Sequence, residues 1–397
     1  MKILFISSYL PFPLHSGGQV RLYNLIKELS EKHEITLVCE KRIHQTVDDI
    51  SAVEKICKKV ITVPRKKQWS LQNFAKAATS TQSFLVTGHT HLQMQREIIT
   101  ILAEESFDVI HVETFYVMQN LPKTSIPIVL VDHNIEYSVY QKFSQRVPTP
   151  LRPLLSLDIA KIKREEVASW RRATHVVAVS YEDQSVMKKE GITASIVPNG
   201  VNIDSFSFEE KQEKKQRNVL FIGDFSWVQN RDSAEFIIQE IWPKVLAKRT
   251  KSIDDIKLWI VGRKIPGSIR TLTEQPSVVF DEESSALSAP EIFKKADILL
   301  APIRVGGGTS YKILESMSCG TPVVTMSMSA QAIGAVHHQD LLVGSTAEEL
   351  AHSVDELLTN RSFYERVAKN GRALIEKHYN WKMIGKHLEA VYQGVIQ

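Results

Sequence analysis

The residues best suited to chemistry lie in one run, Ala301-Pro302-Ile303-Arg304-Val305-Gly306-Gly307-Gly308-Thr309-Ser310-Tyr311-Lys312-Ile313-Leu314-Glu315, directly after an apolar stretch. Gly306, Gly307 and Gly308 let a backbone approach an anion closely, with φ values other residues avoid. Thr309 and Ser310 suit the start of a helix whose free N–H groups and positive dipole end face that loop. Arg304 and Lys312 bring two cations to the same neighbourhood. Glu315, further along the helix, is placed to accept hydrogen bonds from ribose hydroxyls, as acidic residues do in nucleotide folds. The set reads as a diphosphate site. Gly320 and Pro322 then end the helix and launch the next strand.

A second candidate is His133, in Val131-Asp132-His133-Asn134-Ile135-Glu136-Tyr137. It follows a buried-strand pattern, which puts it at the carboxyl end of a sheet. A lone histidine is more often structural, and the strand-end position argues for function here. Asp132 and Glu136 are suited to orient the histidine, contact an acceptor or cap the next helix. His111 and Glu113 end another strand and rank lower; His337 and His338 read as exposed. The chain has no D-x-D and no close His/Cys/Asp group with metal spacing, so no metal is expected. It has no G-x-x-x-x-G-K-[ST], which argues against a P-loop kinase or ATPase. The first β-α turn lacks G-x-G-x-x-G, which weakens a dinucleotide-dehydrogenase reading.

The elements that position these residues follow from the hydrophobic pattern. Lys2–Ser7 is a continuous apolar strand, followed by a Pro/Gly-rich loop, a helix with Val20, Tyr23, Ile26 and Leu29 on one side, and strand 35–38. Apolar strands alternating with amphipathic helices indicate parallel sheets covered on both faces. Strand patterns recur at 109–112, 128–131, 176–179 and 195–197. After the charged run 209–217 the pattern restarts, with strands at 219–222, 257–261, 278–280, 298–301 and 322–325 and a helix over 232–246. Helices at 347–359, 362–378 and 381–396 close the chain. The expected class is α/β: two Rossmann-like doubly wound domains facing across a cleft, with the last helix crossing back to the first domain. The expected boundaries are an N-terminal acceptor-side domain 1–205, a linker 206–217, a donor-binding domain 218–380 and a C-terminal helix 381–397.

Composition narrows the class. The 397 residues are 43% hydrophobic and 24% charged, which excludes disordered and collagen-like chains. No apolar stretch reaches the roughly 18 residues of a membrane span. The apolar start stops at Ile6 and meets Pro11 and Pro13, so it reads as a first strand and not a signal peptide. Cytoplasmic placement is expected. Cys39, Cys57 and Cys319 read as reduced thiols. The net charge of +4 is too mild for a nucleic-acid partner, and all of the excess falls within residues 1–205. Lys58, Lys59, Arg65, Lys66 and Lys67 cluster there beside Trp69, Leu71 and Phe74. A basic stretch beside exposed aromatics is suited to touch an anionic membrane surface, at the inner face of the plasma membrane, or an anionic acceptor, although sequence alone favours the plainer reading of a solvated loop with some core aromatics.

The 301–324 segment resembles the C-terminal signature of family-4 retaining glycosyltransferases, which have the two-domain GT-B fold. Ser16-Gly17-Gly18 resembles the family's N-terminal glycine pair facing the donor diphosphate. Val197-Pro198-Asn199-Gly200-Val201-Asn202 resembles the segment before the interdomain linker. Phe221-Ile222-Gly223-Asp224 with Asn230 and Asp232 resembles the opening of the donor domain, and Val261-Gly262-Arg263 its second donor-side loop. His133 resembles the family histidine close to the transferred sugar. Two departures stand out: the first of the family's two glutamates falls on Gly307, and the usual Arg/Lys pair is replaced by Asp224 and Asn230. A bacterial exopolysaccharide subgroup shares both, with arginines matching Arg263 and Arg304.

The resemblance implies a metal-independent transferase moving a hexosyl unit, with retention, from a UDP- or GDP-sugar to a hydroxyl of a glycan or lipid-linked acceptor in cell-surface polysaccharide synthesis. No cofactor is implied beyond the nucleoside-diphosphate sugar as co-substrate. His133, Arg304, Lys312 and Glu315 take the catalytic roles. Gly17, Gly18, Asn199, Gly223, Asn230, Arg263, Gly306, Gly307, Gly308 and Thr309 line the donor. Two other readings stay open: a nucleotide-sugar 2-epimerase of the same fold, and a non-catalytic nucleotide- or glycan-binding relative.

Overall fold

The computed structural model describes residues 1–144, 148–212, 214–249, 255–286, 288–304 and 309–396. The chain forms two compact units, one of residues Met1–Pro198 joined by the segment from Ile384 onward, the other of Asn199–Met383.

The first unit is built on seven parallel strands: β1 (Lys2–Ser7), β2 (Glu34–Lys41), β3 (Lys59–Pro64), β4 (Val109–Glu113), β5 (Ile128–Asp132), β6 (His175–Ala178) and β7 (Ala194–Ile196), in the order β3-β2-β1-β4-β5-β6-β7. Every residue of β4 and β5 is buried. That is what continuous apolar strands require, because helices cover both faces of a parallel sheet. The order reverses between β1 and β4, where Ser7 lies opposite Glu113. Doubly wound sheets bind ligands outside the carboxyl ends of the strands at such a reversal.

Strand β3 was not evident in the sequence. Its Val60–Val63 core is short and hidden among lysines, which also guard it as an edge strand. The structure divides the basic stretch accordingly. Lys58 pairs with Glu34 at 2.7 Å, and Lys59 lies 3.7 Å from Glu105 and 3.9 Å from Glu104. Only from Lys66 does the stretch stand beside exposed apolar groups: Trp69 and Leu71 are 79% and 88% exposed. These side chains are surface groups, which removes the reading of core aromatics.

The second unit repeats the plan with β8 (Arg217–Asp224), β9 (Ile256–Arg263), β10 (Val278–Asp281), β11 (Ile298–Ala301), β12 (Val323–Thr325) and β13 (Leu342–Val343), all parallel, in the order β10-β9-β8-β11-β12-β13. The helix after β8 starts at Val228, four residues before the expected Asp232, and passes through a π turn at Ile237–Ile241.

The boundaries differ from the sequence expectation of a first domain ending at 205 and a linker over 206–217. The first unit ends at Pro198, and the charged run packs as part of the second. Lys211 is buried and donates to the Phe293 and Lys294 carbonyls at 2.8 and 2.9 Å, the last turn of helix Ala289–Lys295, where unsatisfied carbonyls take a cation. The final helix, Trp381–Ile396, belongs to the first unit only from Ile384. Its Glu389 meets Lys32 at 3.1 Å and His33 at 3.2 Å, and Ile384, Leu388 and Tyr392 are fully buried. Among the described residues, no helix is long and apolar enough to cross a membrane.

Candidate functional site

In the second unit the loops after β8, β9 and β11 bring together most of the expected diphosphate groups. Lys312 lies in helix Tyr311–Ser318 and donates to Asn230 Oδ1 at 2.8 Å, with its ammonium 4.7 Å from the Phe221 ring centroid. Burial pushes the lysine down to about 8, against the opposing effect of Glu315. One turn on, burial raises Glu315 to about 7, offset in part by Lys312. A pair tuned this way sits near neutrality, where an arriving anion or hydroxyl shifts both protonation states. Asn230 Nδ2 donates to the Asp224 carbonyl at 2.8 Å, and Asn199 Nδ2 to the Thr309 carbonyl at 3.2 Å. Gly223 and Gly262 lie side by side at the ends of β8 and β9. A Cβ on Gly262 would meet the Gly223 carbonyl oxygen at 1.9 Å, so that crossing tolerates only glycine.

Arg304 and Arg263 are not bare cations. The Arg304 guanidinium forms a two-point pair with Asp232, at 3.1 Å from Nε and 3.0 Å from Nη2, and lies 4.2 Å from the Phe236 centroid. Arg263 Nη2 donates to Asp224 Oδ2 at 3.1 Å. Each pairing fixes a side chain that would otherwise sweep a wide arc. Each also leaves further N–H donors in the fork, since a guanidinium carries five. The aspartates were visible in the sequence as family matches, but their partnership with the arginines was not. Gly306, Gly307 and Gly308 lie outside the described residues.

In the first unit, His133 follows β5 and is partly buried, its side chain 18% exposed. Its Nε2 is hydrogen-bonded to Glu113 Oε1. The other Glu113 oxygen is 2.5 Å from His111 Nε2, whose Nδ1 is 2.6 Å from the Tyr392 hydroxyl. Arg21 Nε stands 3.8 Å from Glu113, held by bonds of 2.8 Å from its Nη1 and Nη2 to the Pro198 and Val197 carbonyls. Burial alone would raise the Glu113 carboxyl. The hydrogen bonds from His133 and His111 outweigh it and hold the carboxylate ionised, well below the usual range. Ser16 caps helix Gly17–Ser30, accepting from the Gln19 N–H at 3.4 Å. A Cβ on Gly18 would lie 2.9 Å from the Tyr9 hydroxyl and 3.5 Å from His133 Cε1. Gly18 and the histidine therefore share one surface.

Glu113, not Asp132, orients His133. The Asp132 carboxylate accepts from the Phe115 N–H at 2.8 Å and Trp170 Nε1 at 2.6 Å. Glu166 caps the following helix, accepting from the Glu136 and Tyr137 N–H groups at 2.8 and 3.1 Å. The signal for Glu113 was in the strand: His111 and Glu113 alternate with Ile110 and Val112, and residues two apart share a face. Tyr392 carried no sequence signal, because nothing local ties the last helix to β4.

Residues 15–205 match the family described as Glycosyltransferase Family 4, and residues 216–360 the one described as Glycosyl transferases group 1. An uncharacterized 44.6 kDa protein in the cps region of Klebsiella pneumoniae is 21% identical over 96% of this chain and 97% of its own length. Phosphatidyl-myo-inositol mannosyltransferase of Mycobacterium leprae is 27% identical over 53% of this chain and 56% of its own, and that of Mycobacterium tuberculosis 24% identical over 76% and 77%. Sucrose-phosphate synthase from Thermosynechococcus elongatus superimposes with a TM-score of 0.72 at 14% identity, covering 100% of this chain and 99% of that one. Anabaena HepE in complex with UDP-glucose superimposes with a TM-score of 0.64 at 14% identity, covering 99% and 100%. Both likenesses speak for the fold.

Proposed function

The chain belongs to the family-4 glycosyltransferases of the GT-B fold, and from that premise we propose that it transfers a hexosyl unit, with retention and without a metal, from a UDP- or GDP-sugar to a hydroxyl of a glycan or lipid-linked acceptor in cell-surface polysaccharide synthesis. The observation that carries this reading is the convergence of Lys312, Glu315, Asn230 and the aspartate-held Arg304 and Arg263 at the carboxyl ends of the second sheet. The phosphatidyl-myo-inositol named for the mycobacterial mannosyltransferases supports a lipid acceptor, and the UDP-glucose bound by HepE is in keeping with a uridine nucleotide.

In this reading Glu315 holds the ribose, and Arg304, Arg263 and Lys312 meet the diphosphate together with the amides around Thr309. The sugar–phosphate C–O bond breaks and the acceptor oxygen joins the same face of the anomeric carbon. The acceptor's proton passes to the departing phosphate oxygen, so the protein supplies no nucleophile. Its task is to stabilise charge growing on the diphosphate, where preorganised donors are often the largest contribution. Gly17 and Gly18 leave room for phosphate, and His133 positions the sugar.

The acceptor side carries a membrane component. Trp69 and Phe74 pack their rings at 5.8 Å between centroids, Trp69 largely exposed and Phe74 half-exposed, with Lys66 and Lys67 adjoining. An apolar tip with lysines suits an anionic bilayer surface. Flotation with liposomes containing anionic lipid tests this: the wild type floats and a Trp69→Ser/Phe74→Ser variant does not, whereas equal flotation of both removes the contact.

The reaction is tested by incubating the protein with UDP- and GDP-hexoses, with and without polyprenyl-phosphate-linked glycan acceptors, in the presence of EDTA. Acceptor-dependent release of the nucleoside diphosphate is expected. Interconversion of free nucleotide sugar would establish an epimerase instead, and nucleotide binding with neither reaction a binding protein.

A further inference from the structure

The buried chain Tyr392–His111–Glu113–His133 is more than packing, because its polarity can be read link by link. Burial pushes the Tyr392 hydroxyl well above its ordinary value, so it keeps its proton and donates to His111 Nδ1. Burial also lowers His111, opposed by Glu113, so its ring is neutral with the proton on Nε2. That proton points at Glu113 Oε2. The ionised carboxylate then has Oε1 left to accept from His133 Nε2. One ring nitrogen of His133 is thereby committed. Nδ1 makes no hydrogen bond among the described residues, on a ring whose Cε1 flanks the Gly18 surface.

We propose that Tyr392 and His111 are positioning residues that act through Glu113 to lock His133 in the Nε2–H tautomer, presenting Nδ1 to the substrate. This rests on the reading above that His133 lies beside the transferred sugar. It makes the C-terminal helix a component of the reacting centre: a group 259 positions along the chain from His133 sets which of its nitrogens faces outward. The logic is that of other carboxylate-oriented histidines, in which the partner of one nitrogen fixes the role of the other. Other groups facing the relay agree. Phe5 stacks on His111 with centroids 4.3 Å apart and excludes water, and Arg21 adds a fixed positive charge beside Glu113.

The test uses the full-length chain with 15N-labelled histidine imidazoles, His133 being assigned by loss of its signals in His133→Gln. The expected spectrum shows His133 protonated at Nε2 at neutral pH in the wild type, and a tautomer mixture in Tyr392→Phe. An Nδ1–H tautomer in the wild type, or a tautomer unchanged in Tyr392→Phe, overturns the proposal. A second arm follows donor turnover. Tyr392→Phe is expected to lower kcat by about tenfold, the scale on which outer groups orienting a histidine act, with donor KM unchanged and no further loss in the His133→Gln background. An equal loss in both backgrounds marks a structural role and also overturns it. If no nucleotide sugar is turned over, the reaction reading fails and the spectra still decide the relay. If Tyr392→Phe does not fold, the wild-type tautomer alone decides it.

Discussion

At the residue scale, the Lys312–Glu315 pair ties nucleotide binding to protons. Burial lowers Lys312 to about 8, so it titrates in the region of that pH, and a diphosphate beside it favours the ammonium form. Calorimetry at pH 8 in buffers of differing ionisation enthalpy is expected to record net uptake of a fraction of a proton on UDP or GDP binding. Zero uptake would place the diphosphate away from Lys312. Glu315 gives a complementary result. Its carboxyl is raised from 4.5 to about 7, so between those values the folded form keeps a proton that the unfolded chain has released. Stability contributed by this group therefore falls as pH rises through the window. Glu315→Gln is expected to melt with a shallower decline than the wild type between pH 5 and 7, and identical slopes would show that the carboxyl titrates normally.

At the element scale, close crossings decide what each strand end tolerates. Gly262→Ala forces a Cβ against the Gly223 carbonyl at 1.9 Å, a backbone atom that cannot swing aside. Overpacking of this kind costs about 1–3 kcal/mol, and a melting temperature lower by several degrees is expected, with an unchanged value contradicting the register of β8 and β9. Gly18→Ala meets only the Tyr9 hydroxyl and the edge of His133. It is expected to reduce turnover while leaving the melting point nearly unchanged, and a wild-type rate would separate Gly18 from the sugar site. Most strands were legible in the sequence because buried parallel strands are unbroken apolar runs, as in β4, β5 and β11. β3 was not, since its lysines mask it, and neither was two-residue β13. The grouping of side chains in the candidate site was legible where one local segment carries it, as with Lys312 and Glu315. It was not where partners come from distant chain positions, as with Arg304–Asp232 and His111–Tyr392.

At the scale of the whole molecule, the first unit is completed by chain that arrives last. Ile384, Leu388 and Tyr392 are fully buried there. Removing residues 384–397 is expected to leave the first unit unable to fold stably, and a truncated protein melting like the wild type would contradict this. The second unit holds the charged groups of the proposed nucleoside-diphosphate site, all within residues 199–383. The most direct measurement is a thermal-shift titration with UDP, GDP, ADP, CDP and NAD, run in parallel on Glu315→Ala and Arg304→Ala, with EDTA present. A ligand at 100 times its Kd stabilises by about 2.7 kcal/mol. A shift with UDP or GDP that both variants lose is expected. No shift with any nucleoside diphosphate, or a shift kept in both variants, would contradict the proposed site.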